Sequence, residues 1–480
     1  MAVTEVLHEA MEHQVFGIEH LNRFPRALVA DEQGVGKTLI CFGWWMQSKC
    51  RTLVIVCPAS TVGVVWRKEC ARHGIKPIII SAGSVLPEPT QANTGEKRVL
   101  ICSYGMLAGR KTKNSAPKPP LSDWLRRWTP DALFIDECQS IQDQASKQTK
   151  AVRKVAAGIK HVVGISGTPG NKTPKDFFSA LNLLWPGEFP SFHAYANYYC
   201  KPERNFWGWT YDGAENLDHL HARLIKCGML RRRLADVLPD LKLPIWHVVP
   251  CDMRNPEEYQ EAQHSFLEWL SKIDPEKAAR AAMAEAVVRT GYLQRLATRL
   301  SFRAKLQWLK DWLEANPTRK IAVYCVQTAA IRAVMRACTT YDDAGNVVDC
   351  FATCVDGSTR DREGAVMAFQ TDPRIRVFVG QMVAAGAGIP LTACHHLALL
   401  EFPYVPAVLG QVVARPRRIG QTEQVHIHCL VAHGTIEEHQ CSILQRRQGH
   451  LSTILDGVPS NGDSSMPIHS ELLKQLGRKS

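Results

Sequence analysis

Short apolar runs punctuate the chain, and most are apolar at consecutive positions instead of at every second one. In the first half they are Ala27–Ala30, Leu53–Cys57, Pro77–Ile80, Val99–Cys102, Leu133–Ile135 and Val162–Ile165, separated by stretches with helical spacing. Runs rich in Val and Ile that stay apolar on both faces predict buried parallel strands with helices packed on each side. The second half repeats the pattern at Ile321–Val326, Cys350–Val355, Ile375–Val379, His396–Leu400 and Val425–Val431. The chain therefore reads as α/β, with two doubly wound parallel-sheet lobes at residues 1–240 and 319–445. Between them, residues 241–318 predict a helical brace or linker, because Glu257–Asn316 has few breakers. Within the first lobe, Pro174–Arg233 predicts a mostly helical insertion with an aromatic loop at Phe206–Tyr211. Residues 108–120 read as a basic, Pro-rich surface loop. Residues 446–480 read as a tail, and its part after about Asp456, rich in Ser, Gly and Pro, is expected to be disordered.

Composition narrows the class. The chain has 480 residues, 45% of them hydrophobic and 22% charged, which suits two or three globular domains. Lys and Arg number 58 against 46 Asp and Glu, a surplus of +12 that suits a polyanionic partner, although many basic proteins bind nothing acidic. The 16 cysteines are scattered and form no CxxC pair, which predicts a reducing, intracellular compartment, with the cytoplasm expected. Cys338, Cys350 and Cys354 come nearest to a ligand set but read as small residues on or beside a strand. The start, MAVTEVLHEAMEHQVF, lacks the basic and apolar regions of a signal peptide. No apolar run reaches the roughly 18 residues that span a bilayer.

Four segments carry candidate chemistry. In ALVADEQGVGKTLI a buried strand runs into a Gly-rich turn and then a helix. Gly34 and Gly36 let backbone N–H groups approach phosphate oxygens, and the helix N-terminus adds a positive field. Lys37 would reach the β- and γ-phosphates of ATP, and Thr38 would ligand Mg²⁺. Asp31 stands where the general phosphate-binding pattern has another glycine, so that match is partial. In ALFIDECQS a strand ends in Asp136 and Glu137, which can divide the work of holding Mg²⁺ and polarising the attacking water. In VVGISGTPGNK the turn Ser166-Gly167-Thr168-Pro169 is small, rigid and polar, fit to report on the γ-phosphate. In QVVARPRRIGQ, Arg415 and Arg418 share a face if the segment is helical, and two guanidiniums suit the charge of a transferring phosphoryl group.

In order, the segments DEQGVGKT, VCPASTVGVVWRKE, DECQ, SGTP, MLRRRLADVLPDL, DGST, AAGAGIPLT, QVVARPRRIGQ and HGTIEE resemble the Swi/Snf family of superfamily-two helicase-like motors, over about residues 13–440. The stretch SFHAYANYYC…FWGWTYDGAENLDHL is most similar to the HARP-type annealing-helicase branch. The resemblance implies two RecA-like lobes and an ATP-dependent translocase acting on duplex or forked DNA with little sequence preference, with strand annealing or fork remodelling as an output. It implies that Gln14 recognises adenine and that Gln411 lies near the γ-phosphate. It also implies that Ser60, Thr61, Ser103, Tyr104, Gly357, Ser358, Thr359, Gly386, Gly388 and Thr392 grip the tracked strand and couple the lobes, with Thr168 beside them. Three departures bear on coupling and leave the catalytic groups intact. Gln139 stands where the family often has His, Pro390 where Asn is common, and Val412, Val413 and Ala414 where acidic residues are frequent. A strand-separating helicase, a motor subunit working with a nuclease or repair factor, and a nucleotide-gated DNA-binding module without turnover remain the alternatives.

Overall fold

The computed structural model describes residues 10–81, 96–109, 121–205, 208–266, 285–384, 390–458 and 467–475, together with 268 and 270. The chain forms two units, one of residues 1–240 with 449–462 and one of residues 241–448 with 463–480.

The first unit is built on strands β1 (Arg26–Val29), β2 (Thr52–Cys57), β3 (Ile78–Ile80), β4 (Arg98–Ser103), β5 (Ala132–Asp136), β6 (His161–Ile165) and, after a short hairpin β7 (Glu203–Asn205) and β8 (Gly208–Thr210), β9 (Met229–Leu230). Seven of them form one sheet in the order β3-β4-β2-β5-β6-β1-β9. Every pairing in it is parallel. Side chains alternate between two apolar clusters. Leu28, Val54, Val56, Leu100 and Leu133 point to one face, and Val29, Leu53, Ile55, Ile101 and Phe134 to the other. Helices therefore cover both faces, and the strands are apolar throughout, as the run pattern predicts. The predicted aromatic loop is in part the hairpin β7–β8.

The second unit holds β10 (Ile245–Cys251), β11 (Ile321–Cys325), the hairpin β12 (Thr339–Tyr341) with β13 (Val347–Cys350), then β14 (Ala352–Val355), β15 (Val377–Gln381), β16 (His396–Leu399) and β17 (His426–Ala432). Six of them form a parallel sheet in the order β10-β17-β16-β11-β15-β14.

Three sequence expectations need correction. Residues 241–318 are not a separate brace. They supply edge strand β10 and the long helix Glu285–Ala315, both inside the second unit. The strand escaped the hydrophobic pattern because His247 and Pro250 interrupt it, and proline is tolerated there only because an edge strand leaves one set of N–H groups unpaired. The run Cys350–Val355 breaks at Phe351 into β13 and β14. Residues 446–480 are not a separate tail. The helix Ile436–Asp456 buries Leu451, Ile454 and Leu455 in the core of the first unit, and the helix Ile468–Gln475 buries Ile468 and Leu472 in the core of the second.

Buried charges fix the long helix. Lys305 is fully buried and donates to the Leu400 carbonyl at 2.7 Å and to both Glu437 oxygens at 2.9 and 2.8 Å. Thr298 donates to Glu401, whose other oxygen accepts from the Val326 and Gln327 amides at 2.7 and 2.8 Å. Beside them lies a ladder of imidazoles. Register puts His247 opposite His428, and His396 opposite His426, on one face of the sheet. His247 and His426 are hydrogen-bonded at 2.9 Å, His396 and His428 at 3.2 Å, and Arg319 donates to His396 at 3.1 Å. Trp308 and Trp312 pack over the ladder. Removal from water, reinforced by the neighbouring imidazoles, pushes His396 and His428 each down to about 3. An unfolded histidine titrates near 6.5, so the unfolded chain binds more protons below that value. Stability is then complete above about pH 6.5 and declines as pH falls toward 3. A thermal-unfolding series from pH 7.5 to 5 is expected to show the second unit losing stability, with a shallower decline in His428→Gln. Equal slopes in the two proteins would remove the ladder as the cause.

Candidate nucleotide site

The carboxyl ends of β1, β5 and β6 are adjacent in the sheet, which brings three of the sequence-predicted segments together. Strand β1 feeds the turn Asp31–Gly36, and the helix Lys37–Gln47 starts at once. Gly34 and Gly36 have φ of 90° and 91°, a left-handed backbone that favours glycine. A Cβ at Gly36 would also lie 2.4 Å from the Gln14 amide nitrogen, so Gln14 packs directly on the turn. The Gln14 carbonyl oxygen accepts from the Met11 amide at 3.0 Å, and His13 Nε2 donates to the Val35 carbonyl at 2.9 Å. Lys37 donates to the carbonyls of Asp31 at 2.8 Å and Glu32 at 3.0 Å. Burial lowers the pKa of Lys37, and the carboxylates of Asp31 and Glu137 oppose that shift. Thr38 follows in the first helical turn.

The turn is held from below by a segment distant in sequence. Asp31, the departure from the general glycine pattern, is fully buried and makes a two-point ion pair with Arg232, with Nε to Oδ1 at 3.0 Å. Arg232 also donates to the His13 carbonyl. Backbone bonds from Ala30 to Leu230 at 2.8 Å and from Glu32 to Arg232 at 2.9 Å continue the β1–β9 ladder under the turn. Arg231 donates to the Ala30 carbonyl at 2.7 Å and to the Gly167 carbonyl at 3.1 Å. Its Nε pairs with Asp456 at 2.7 Å, from the last turn of the helix Ile436–Asp456. Sequence reasoning placed MLRRR in the motif order but missed these roles for Arg231, Arg232 and Asp456. Adjacent arginines after a short apolar run were the available signal.

At the end of β5, Asp136 Oδ2 accepts from Trp66 Nε1 at 2.8 Å and from the Thr61 hydroxyl at 3.3 Å. Burial, with the charge of Glu137 second, pushes Asp136 up to about 7, while Trp66, Lys37 and Thr61 favour the charged form. Glu137 has a φ of 50°, rare for a residue with a side chain, and accepts from Gln139 Nε2 at 2.7 Å. After β6 the Thr168 amide donates to the Ser166 hydroxyl at 3.0 Å. Thr168 Oγ1, Gln33 Nε2 and Gln139 Oε1 are buried without a hydrogen-bond partner among the described residues. Buried polar atoms are rarely left so, and three of them on the loops around Lys37 and Glu137 fit a polar ligand there.

In the second unit, Gln411 lies on the helix Pro406–Val413. Arg415 is buried and donates to the Gln411 carbonyl at 2.9 Å. The two arginines do not share a helical face. The helix ends at Val413, because Pro416 lacks an N–H and bars Arg415 from helical backbone. Arg418 lies beyond, its pKa lowered by burial. Gly357, Ser358 and Thr359 form a tight turn in which the Ser358 and Thr359 amides donate to Asp356 Oδ1 at 2.8 and 3.0 Å. The Thr392 hydroxyl accepts from Gln370 at 3.3 Å. Gly386 and Gly388 lie outside the described residues.

A family model for the SNF2-related domain matches residues 13–300. The chain belongs to the SNF2-related family. The Mus musculus protein described as "DNA annealing helicase and endonuclease ZRANB3" is 26% identical over 450 residues, covering 91% of this chain and 40% of that protein. The Caenorhabditis elegans homologue of "SWI/SNF-related matrix-associated actin-dependent regulator of chromatin subfamily A-like protein 1" is 26% identical over 447 residues, covering 90% of this chain and 60% of that protein. The chain thus spans less than two thirds of either relative. A solved structure, "Sulfolobus solfataricus SWI2/SNF2 ATPase core in complex with dsDNA", aligns over 96% of both chains at 20% identity with a TM-score of 0.39.

Within this SNF2-related domain, two of the residues expected to grip the tracked strand and couple the lobes lie away from the surface. Thr61 is buried against Asp136, and Tyr104 is buried with its hydroxyl donating to the Asp136 carbonyl at 2.6 Å. Both brace the carboxylate loop. Ser103 caps the helix Tyr104–Ala108 by accepting from the Met106 amide, and Ser60 sits half-buried at the turn after β2. Replacing Asp456 with Ala would strand the Arg231 guanidinium in a mostly buried place. A loss of about 3 kcal/mol from the first unit, read as a lower urea midpoint, is expected. A shift of only about 0.5 kcal/mol, the scale of an exposed pair, would show that Arg231 needs no such partner.

Proposed function

We propose that the chain is an ATP-dependent DNA translocase that couples hydrolysis to movement on duplex or forked DNA, with strand annealing or fork remodelling as its output. The observation that carries the reading is that the Gly36-Lys37 turn and the Asp136-Glu137 loop leave the carboxyl ends of β1 and β5, which flank β6 in the sheet, with three polar side-chain atoms on the surrounding loops lacking a partner among the described residues. In open parallel sheets, ligands bind at the carboxyl ends of the strands.

Lys37 leaves the Asp31 and Glu32 carbonyls to neutralise the β- and γ-phosphates, and the amides of Gly34–Thr38 cradle them. Gln14, packed on Gly36, reads the adenine edge. Bound Mg²⁺ would supply positive charge to offset that of the phosphates. Thr38 and Asp136 would hold it, and the hydrogen bonds from Thr61 and Trp66 to the Asp136 carboxylate both fall on Oδ2, which suits Oδ1 to a cation. Glu137, steered by Gln139, orients the attacking water. We assign Gln411, Arg415 and Arg418 to the charge of the transferring phosphoryl group. Thr168 senses the phosphate. Ser60, Ser103, the Gly357–Thr359 turn and Thr392 serve strand contact and coupling. The relatives' descriptions as a DNA annealing helicase and a chromatin regulator support DNA as the track, as does the surplus of +12. We assign the protein to the interior of the cell, with a nuclease or repair factor as its protein partner.

Steady-state ATPase rates without nucleic acid, then with single-stranded, duplex and forked DNA and RNA, test the reading. Strong stimulation by duplex or forked DNA is expected, and stimulation by RNA alone would overturn it. Lys37→Ala should abolish turnover with the circular dichroism spectrum unchanged, since it forfeits only hydrogen bonds to loop carbonyls. Arg418→Ala should retain ATP binding while turnover falls about 10³-fold. An Arg418→Ala rate equal to wild type would take this residue out of the reaction.

A further inference from the structure

The hairpin β7–β8 presents an indole to solvent for which the packing gives no reason. Trp209 is 60% exposed, whereas Trp44, Trp45, Trp66, Trp128, Trp185 and Trp312 are buried. The hairpin stands on a firm base. The Glu215 amide donates to the Tyr199 carbonyl at 3.0 Å, and Asn216 Nδ2 to the Tyr198 carbonyl at 2.8 Å. Tyr211 packs edge-on against Phe192 with ring centroids 5.5 Å apart. A Cβ at Gly213 would meet the Cys200 and Lys201 carbonyls at 3.0 Å, so the returning strand runs hard against the outgoing one. Trp209 is thus an exposed ring on a braced support, with its apolar face open for a flat partner to stack on.

The strand register identifies that partner. Arg204 lies directly opposite Trp209, so the two exposed side chains leave the same face of the ribbon. Glu203 pairs with Thr210 one position along and therefore leaves the other face. One face offers a flat π surface with a guanidinium beside it, and the Glu203 side chain leaves the opposite face. A ligand made of a flat ring joined to an anion matches both groups, and a nucleotide is such a ligand. In a duplex the base faces are covered by their neighbours, so only an unpaired nucleotide presents one.

We propose that the Arg204–Trp209 face of this hairpin binds an unpaired nucleotide of DNA, with the base stacked on Trp209 and the phosphate paired with Arg204. The site distinguishes forked or gapped DNA from plain duplex. The inference rests on the proposed DNA-translocating activity, and its test is separable from the test of that activity.

The test compares the full chain with Trp209→Ala, Trp209→Phe and Arg204→Ala. Affinity for a fork and for a blunt duplex of equal length is read by fluorescence anisotropy without ATP. A 2-aminopurine in the unpaired arm of the fork reports stacking. Wild type is expected to bind the fork more tightly than the duplex and to quench the 2-aminopurine. Trp209→Ala should lose roughly 10-fold in fork affinity and lose the quench. It should keep duplex affinity and duplex-stimulated ATPase within about twofold, with an unchanged melting temperature, as an exposed side chain allows. Trp209→Phe should restore stacking, and Arg204→Ala should weaken fork binding and its salt dependence while keeping the quench. Fork affinity in Trp209→Ala equal to wild type overturns the proposal and leaves the face to a protein partner. Absence of DNA-stimulated ATPase in wild type overturns the translocase reading instead, and the anisotropy comparison still decides the hairpin.

Discussion

A parallel strand cannot be reached from its neighbour by a tight turn. The chain must cross back over a face of the sheet, so all strands of a parallel sheet end on the same edge. That constraint organises the first unit. The loops after β1, β5 and β6 emerge side by side because those strands are neighbours, and they carry Lys37, Asp136-Glu137 and Thr168. The loops after β2 and β4 emerge on the same edge, and from there Thr61, Trp66 and Tyr104 reach the Asp136 loop. One topological rule supplies both the glycine-rich turn around Lys37 and the carboxylates of Asp136 and Glu137.

Loops alone would be too soft to hold such a site, and buried charge stiffens this one. A buried carboxylate or guanidinium is costly unless fully paired, so each such group fixes the position of its partners. Asp31 and Arg232 lock the turn to the segment after β9. Arg231 joins the exits of β1 and β6 and draws Asp456 to the same place. The second unit uses the same device. Lys305 with Glu437, and Glu401 with the Val326 and Gln327 amides, hold the long helix against its sheet. Asp136 stands apart. It is buried beside Glu137 with only partial compensation, and a site left electrostatically incomplete is one that a cation can complete.

The sequence itself determined a good deal. Consecutive Val and Ile positions announced each buried strand of the first sheet except the two-residue β9, and most of the second. They did so because a strand covered on both faces has no polar side to alternate. The two glycines around Lys37 and the Asp-Glu pair at a strand end were legible because backbone freedom and paired carboxylates are local properties. Only the tertiary structure decided the rest. Edge strand β10 was hidden because an edge tolerates Pro250 and histidines. Thr61 and Tyr104 lost their expected place on a nucleic-acid surface because burial depends on what packs above a residue. Arg415 and Arg418 left the helix because of the single proline between them. The bonds from Arg231 and Arg232 to residues about 200 positions away, at Asp456 and Asp31, have no local signature. Local chemistry is written in neighbouring residues, whereas the pairing of buried charge is fixed only when distant segments are brought together out of water.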